Sequence, residues 1–275
     1  MEINWEIKQR PIYDIEGNQI SGYKEILRQN KDSSIEVLSV MKNSYYPLKV
    51  DEFKSLVYKL SAHTDLKLAG YSEFKKGKII TAQLKSDNGF KIGGSTVEGY
   101  LTLGTGFDGS RSFFMGHISE YLRCMNQFGR IITNRTTKLT KNSKLKIDEI
   151  IADLIYYNTF EKELYTSFEQ MQNVKIDAKI VKDCVERLVG LTYEEKLDNS
   201  LISHQKGEKL VSLRDSILRE VKDLGENAFA LFNGVTYYTT HKMKTYEKDV
   251  FGNLFTSKNK VNQEGYKFAK ELLLV

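Results

Sequence analysis

Short segments rich in β-branched and aromatic residues fill most of the first half of the chain and predict strands. Residues 5–13 and 19–27 flank the turn-like sequence Ile15-Glu16-Gly17-Asn18, which predicts a hairpin. Residues 35–41 form a further candidate strand. Two more hairpins are predicted along the chain, one from 65–74 with 78–84 and one from 96–103 with 112–115.

Apolar residues recur at the spacing of a helix once in the first half, over residues 50–60, and repeatedly in the second half. The first stripe of the second half begins at Ile147. Asp148 and Glu149 lie in its first turn, where the helix dipole favours acidic side chains. Further helices are predicted over residues 177–189, 208–224, 226–240 and 262–274.

Strands followed by helices predict an α+β fold, with an antiparallel, β-rich N-terminal half built of hairpins and a mainly helical C-terminal half. A chain of 275 residues can bury the core of one large domain or of two smaller lobes. We divide it into a β-rich lobe over residues 1–120, a basic segment over 121–146 and a helical lobe over 147–275.

Composition predicts a cytoplasmic protein. No apolar run approaches the ~20 residues that span a bilayer, and the first residues lack the basic and apolar regions of a secretory signal. Cys124 and Cys184 are the only cysteines, and each lies in an amphipathic stretch, which is typical of small buried hydrophobes. We therefore expect no association with a membrane.

Positive charge is concentrated in one part of the chain. No acidic residue occurs between Glu120 and Asp148. The stretch between them contains the cations Arg123, Arg130, Arg135, Lys138, Lys141, Lys144 and Lys146. These seven charges exceed the net charge of +5 for the whole chain, so the remainder is slightly acidic.

This stretch has the residue types of a nucleic-acid interface. Its cations alternate with Thr, Asn and Ser, which donate hydrogen bonds to phosphate oxygens, and cations release the counterions of bound phosphates. The aromatic rings of Phe107 and Tyr121 lie close by in sequence and could stack on unpaired bases. We therefore predict that the seven cations, Phe107 and Tyr121 bind nucleic acid. The alternative is a solvated basic loop beside core aromatics.

Catalytic and metal-binding motifs are absent from the sequence. The histidines His63, His117, His204 and His241 are scattered without zinc-ligand spacing. The glycine-rich stretch from Gly93 lacks the Gly-Lys-Ser/Thr of a phosphate loop, and no serine lies in a nucleophile elbow. We predict no catalytic residue, no metal site and no cofactor, although the sequence leaves open whether the protein is an enzyme.

Several stretches resemble the phage/plasmid-like protein family catalogued as domain of unknown function 932 (DUF932). Cys124-Met125-Asn126-Gln127 resembles the Cys-Gln-Asn-Thr signature of that family, with Met and Gln as departures. The family's Arg-His-Thr is replaced by Asn134-Arg135-Thr136, so no catalytic histidine is carried over there. Looser similarity lies in residues 22–28, 37–40, 45–48, 105–110, 233–241 and 251–253. The resemblance spans most of the chain, which implies one family domain over residues 1–275.

The resemblance implies a mobile-element protein that works in the cytoplasm of a bacterial host. A small antiparallel sheet with a following helix and a basic groove is also similar, by analogy of fold, to the Rad52-type single-strand annealing proteins of phages. The leading hypothesis is therefore a protein that binds single-stranded DNA and anneals strands in phage or plasmid recombination or replication. Such a protein needs neither ATP nor metal, and we expect a homo-oligomer in the form of a ring or filament.

Two other hypotheses remain open. The first is a phage or plasmid structural or interaction protein whose basic segment binds an acidic protein partner. The second is a metal-dependent DNA-processing enzyme whose carboxylates come together only on folding.

Overall fold

The computed structural model describes residues 2–87, 89–111, 113–131, 147–243 and 254–274. Its strands are β1 (Trp5–Tyr13), β2 (Gln19–Asn30), β3 (Ile35–Lys42), β4 (Leu66–Phe74), β5 (Ile79–Ser86), β6 (Phe90–Ile92), β7 (Ser95–Gly106), β8 (Phe114–Tyr121) and β9 (Asn126–Ile131). Its helices are α1 (Val50–His63), α2 (Ile147–Gln172), α3 (Ala178–Val189), α4 (Tyr193–Leu197), α5 (His204–Leu224), α6 (Ala228–Tyr237) and α7 (Ser257–Glu271).

The predicted α+β class is confirmed, with antiparallel sheets in the N-terminal half and helices in the C-terminal half. One sheet has the strand order β1-β2-β3. The other has the order β4-β5-β7-β8-β9, and β6 pairs with β7. Within the described residues, no helix is long and apolar enough to cross a membrane.

The predicted first hairpin is present as β1 and β2. The Asp14 carboxylate accepts hydrogen bonds from the backbone N–H groups of Glu16 at 2.9 Å and Asn18 at 2.8 Å, and Gly17 adopts a φ of 85°. A short acidic side chain that caps its own turn, followed by a glycine, is typical of a tight hairpin connection. Local turn chemistry therefore sets the register next to the turn, where Tyr13 lies opposite Gln19. The register shifts between Pro11 and Ile12, so that Trp5 lies opposite Asn30.

The chain divides into two compact units that are each discontinuous in sequence. The first comprises Met1–Asn88, Tyr100–His117 and Ile131–Tyr157, and the second comprises Gly89–Gly99, Ile118–Arg130 and Asn158–Val275. In the first unit, the apolar stripe of α1 is buried, as its spacing predicts, with Phe53, Val57 and Leu60 fully inside the core. Burying such a side chain contributes roughly 1.5–3 kcal/mol.

The second unit has a core of aromatic rings. Phe128 of β9 lies with its ring centroid 5.2 Å from Phe232 of α6 and 5.3 Å from Tyr266 of α7, and Phe168 of α2 lies 5.6 Å from Phe232. Edge-to-face and offset pairs of this kind add roughly 0.5–1.5 kcal/mol to the burial of each ring. The core therefore fixes the position of α6 relative to β9.

Short elements differ from the prediction. Strands β6 and β9 and helix α4 were not predicted. The elements β6 and α4 are too short to show a clear hydrophobic period, and β9 has apolar residues only at Phe128 and Ile131. Helix α6 ends at Tyr237 and continues as a π-helical turn over Tyr238–Lys242. Such turns are rare in proteins and are frequent at functional sites.

Candidate nucleic-acid interface

The turn between β8 and β9 lies against the end of α6 and its π-helical turn, all within the second unit. The Asn126 side-chain amide donates to the Asn233 carbonyl oxygen at 3.1 Å, and the Gln127 N–H donates to Thr240 Oγ1 at 3.2 Å. His241 Nε2 lies 3.0 Å from the Cys124 carbonyl oxygen. The two stretches that resemble family motifs are therefore hydrogen-bonded to each other, although more than 100 residues separate them in sequence.

A buried carboxylate from α5 joins these two stretches. Glu220 is 3 % exposed, and its Oε2 accepts a hydrogen bond from Asn233 Nδ2 at 2.6 Å. The Cys124 thiol lies 3.8 Å from the same oxygen and also contacts the Asn233 amide at 3.6 Å. Burial raises the pKa of Glu220, while Asn233, Arg219 and Cys124 favour its ionised form.

Cys124 is a hydrogen-bonding group in this cluster and is not an activated nucleophile. Burial, together with the nearby Glu220 charge, raises the pKa of its thiol to about 11. A reactive cysteine requires the opposite shift, because the thiolate is the nucleophile. The imidazole of His241 contacts the Cys124 backbone carbonyl, so the structure gives no thiol–imidazole pair here.

Exposed cationic and aromatic groups border the cluster. Arg219 donates to the Tyr237 hydroxyl at 2.9 Å, and its guanidinium lies 4.6 Å from the Tyr237 ring centroid. The His241 ring lies 4.6 Å from the same ring, at an interplanar angle of 43°. Arg219 and His241 are both exposed. Arg219 and His241 thus offer planar groups with hydrogen-bond donors to a ligand in solution, and Tyr237 is half-buried beside them.

A small cleft opens among these groups, with a volume of about 250 Å³. We call it the Glu220 cleft. It is lined by Arg123, Cys124, Arg219, Glu220, Asp223, Tyr237 and His241. Its wall combines two arginines and a histidine with two carboxylates, so it can contact an anionic group and a hydrogen-bond donor at the same time.

Only one of the seven predicted interface cations has a side chain that the structure describes. Arg123 is exposed on the Glu220 cleft. Arg130 belongs to β9, but its side chain lies outside the described residues. The remaining predicted cations also lie outside them: Arg135, Lys138, Lys141, Lys144 and Lys146.

The two predicted stacking rings are core side chains. Phe107 is fully buried in the first unit and packs edge-on against Trp5 at 5.6 Å between ring centroids. Tyr121 is 4 % exposed in the second unit, packs edge-on against Phe229 at 5.8 Å, and donates to the Gly93 carbonyl oxygen. Neither ring presents a face to solvent, so neither is available to a base. Their proximity in sequence to the basic segment therefore does not place these rings on the surface.

Several cleft residues were not predicted as site residues, yet the sequence carries a signal for one of them. Leu213, Ile217 and Glu220 share the buried face of α5 at three- and four-residue spacing. A carboxylate at a core position of an amphipathic helix is unusual, because buried acids are almost always paired or functional. Arg219 and Tyr237 have no comparable signal. Within the described residues, no group of three or more His, Cys, Asp or Glu side chains could hold a metal ion.

Comparison with known proteins places the chain in a family without assigning an activity. Neither the curated proteins nor the solved structures contain a match. Residues 37–264 match the family described as Domain of unknown function (DUF932), and the matched span includes both hydrogen-bonded stretches of the site. Because this span covers most of the 275 residues, the chain belongs to the DUF932 family.

Proposed function

We propose that the protein binds single-stranded DNA. The observation that carries the proposal is the stretch from Tyr121 to Ile147, which contains seven cations and no acidic residue. Cations at this density displace the counterions of several phosphates and so provide affinity that does not depend on sequence. Its first cation, Arg123, is exposed on the Glu220 cleft.

The surroundings of Arg123 support the same function. Within the described residues, neither Arg123 nor Arg219 forms an ion pair with a carboxylate, so both guanidinium groups are available to phosphate oxygens. Arg219 and His241 also expose planar groups beside Tyr237, and unpaired bases stack on such groups in single-strand binding sites. A flexible strand can use both kinds of contact because its bases are not paired.

We further propose that binding serves strand annealing in phage or plasmid recombination or replication, in the cytoplasm of a bacterial host. In this role the protein holds the backbone of one strand and leaves most bases open for pairing. Neither ATP nor metal is required for that task. Repeated subunits in a ring or filament would hold a long strand extended.

A salt titration of DNA affinity tests the proposal. In the triple variant R130A/R135A/K138A, we expect weaker binding to oligonucleotides of every sequence. The slope of log K against log salt should fall by roughly 0.7 for each lost single-strand phosphate contact. Affinity is measured by fluorescence anisotropy, and thermal melting checks that the variant folds.

A matched control removes three exposed lysines outside the basic segment, K31A/K179A/K209A, and changes the net charge by the same amount. We expect the control to keep most of the salt slope. An unchanged slope in R130A/R135A/K138A would contradict the proposal and favour an acidic protein partner instead. Magnesium-dependent loss of the oligonucleotide would favour a DNA-processing enzyme.

A further inference from the structure

The two oxygens of the Glu220 carboxylate differ in the hydrogen bonds that they receive from the protein. Both hydrogen bonds that Glu220 receives, from Asn233 Nδ2 and from the Cys124 thiol, go to Oε2. Among the described residues no hydrogen bond reaches Oε1, although the residue is only 3 % exposed and lines the cleft. Oε1 is not one of the fully buried side-chain atoms that lack a partner, so it is open to the cleft, and a ligand there can donate an N–H group to it.

The size of the Glu220 cleft limits what can occupy it. At about 250 Å³ it is smaller than the ~300–1,000 Å³ pockets that hold drug-sized molecules. Its rim carries Arg123 and Arg219, which suit a phosphate, and the rings of Tyr237 and His241, which suit a planar group. A nucleotide of the bound strand combines these features, because it has a planar base, an attached phosphate and, in some bases, an N–H donor.

We propose that the Glu220 cleft binds one unpaired cytosine of the strand, with the exocyclic amino group donating to Glu220 Oε1. The inference rests on the proposed binding of single-stranded DNA and names the base that the site prefers. The base lies beside Tyr237 and His241, and its phosphate lies toward Arg123 and Arg219. Cytosine is a single-ring base with an amino group, and glutamate accepts hydrogen bonds from this group in protein–DNA recognition.

Thymine is the base that this arrangement rejects. It has the same ring size as cytosine, but a carbonyl oxygen replaces the amino group. That oxygen would face the carboxylate of Glu220 with two acceptors in contact and no proton between them. Because the phosphate contacts are the same for both bases, the difference in affinity isolates the contact with Glu220.

The substitution Glu220→Gln converts this contact while conserving the shape of the side chain. The glutamine carbonyl can accept the Asn233 hydrogen bond in place of Oε2, which leaves the glutamine amide group toward the cleft. The wall then offers a donor where it offered an acceptor. The variant should therefore favour thymine over cytosine. Glu226→Gln removes one negative charge from an exposed residue that does not line the cleft and is the matched control.

The experiment measures anisotropy with labelled oligo-dC and oligo-dT of equal length at one salt concentration. We expect the parent and E226Q to bind oligo-dC roughly five- to tenfold more tightly, as one base-specific hydrogen bond predicts. In E220Q the preference should disappear or reverse. An oligonucleotide of 2-pyrimidinone, which is cytosine without the amino group, should bind the parent as weakly as oligo-dT does. This comparison uses only the parent protein, so it does not depend on the folding of a variant.

The outcomes separate this inference from the proposed function. Salt-dependent binding with the same oligo-dC to oligo-dT ratio in the parent and E220Q would overturn the cytosine site and leave DNA binding intact. Equal binding of the cytosine and 2-pyrimidinone oligonucleotides would overturn it as well. Failure to bind any of these oligonucleotides would overturn both the site and the function.

Discussion

At the scale of single residues, two largely shielded carboxylates, Glu73 and Glu220, are hydrogen-bonded in different ways. Glu73 accepts hydrogen bonds from Trp5 Nε1 at 2.6 Å and from Arg28 at 2.8 Å, and the Arg28 guanidinium lies 4.8 Å from the Trp5 ring centroid. Glu220 receives hydrogen bonds from the protein at one oxygen only, and its other oxygen is open to the cleft. The first arrangement stabilises the fold, whereas the second leaves an acceptor for a ligand.

His117 gives the first unit a pH-dependent stability. It is fully buried on β8, its Nδ1 lies 3.2 Å from the Tyr157 hydroxyl, and burial lowers its pKa from 6.5 to about 3. The folded protein therefore keeps His117 neutral, while the unfolded chain binds a proton below pH 6.5. The free energy of unfolding should fall below that pH by up to ~1.4 kcal/mol per pH unit, or about 2 kcal/mol by pH 5.

Urea unfolding at pH 7.5, 6.0 and 5.0 measures this dependence. His117→Gln removes the titrating group and should flatten the fall in unfolding free energy, even if the variant is less stable at every pH. His204→Gln is the control, because the His204 side chain is 87 % exposed. Equal pH dependence in the parent and H117Q would show that other groups produce the acid destabilisation.

At the scale of elements, the close contact between α5 and α6 positions the Glu220 cleft. Gly234 of α6 lies so near α5 that an added Cβ would be 2.4 Å from the Ile217 Cα. Asn233 precedes Gly234 on α6, and Glu220 lies one turn after Ile217 on α5. These two residues form the hydrogen-bonded pair of the cleft. Only a glycine allows the backbones to approach this closely.

Gly234→Ala should therefore destabilise the protein, although alanine normally favours helix. The Cβ forces α5 and α6 apart, and overpacking of this kind typically costs ~1–3 kcal/mol. Gly207→Ala on α5 is the matched control, since an added Cβ there meets nothing within 4 Å, and it should stabilise by up to ~1 kcal/mol. Chemical denaturation of both variants measures the difference. Equal unfolding free energies would contradict the close packing of α5 and α6.

The sequence was sufficient to predict elements whose pattern lies within one continuous stretch, such as a helix or a hairpin turn. The stripe of α1 and the turn at residues 15–18 were recognised because every residue involved lies within one helix or one turn. The Glu220 cleft was not predicted, because the contact of Asn126 with Asn233 joins residues 107 apart and no local pattern encodes it. Phe107 and Tyr121 were predicted to bind bases because they lie near basic residues in sequence, but both side chains belong to the core.

At the scale of the whole molecule, an annealing protein and an interaction protein require different numbers of subunits. Cations that neutralise phosphates over one short segment hold only a few nucleotides in each chain. An interaction protein with one acidic partner needs a single copy of such a segment. A protein that anneals long strands without ATP needs many copies along one strand. The oligomeric state therefore distinguishes the leading hypothesis from its alternatives.

Light scattering coupled to size exclusion tests this expectation on the chain of 31.7 kDa. We expect a mass many times that of the monomer, in a closed ring or an open filament, because a head-to-tail interface repeats until it closes or continues. Addition of long single-stranded DNA should increase the mass further, and R130A/R135A/K138A should lose only this DNA-dependent increase. A monomer in both the absence and the presence of DNA would contradict the annealing role while leaving simple binding to single strands as the function to test.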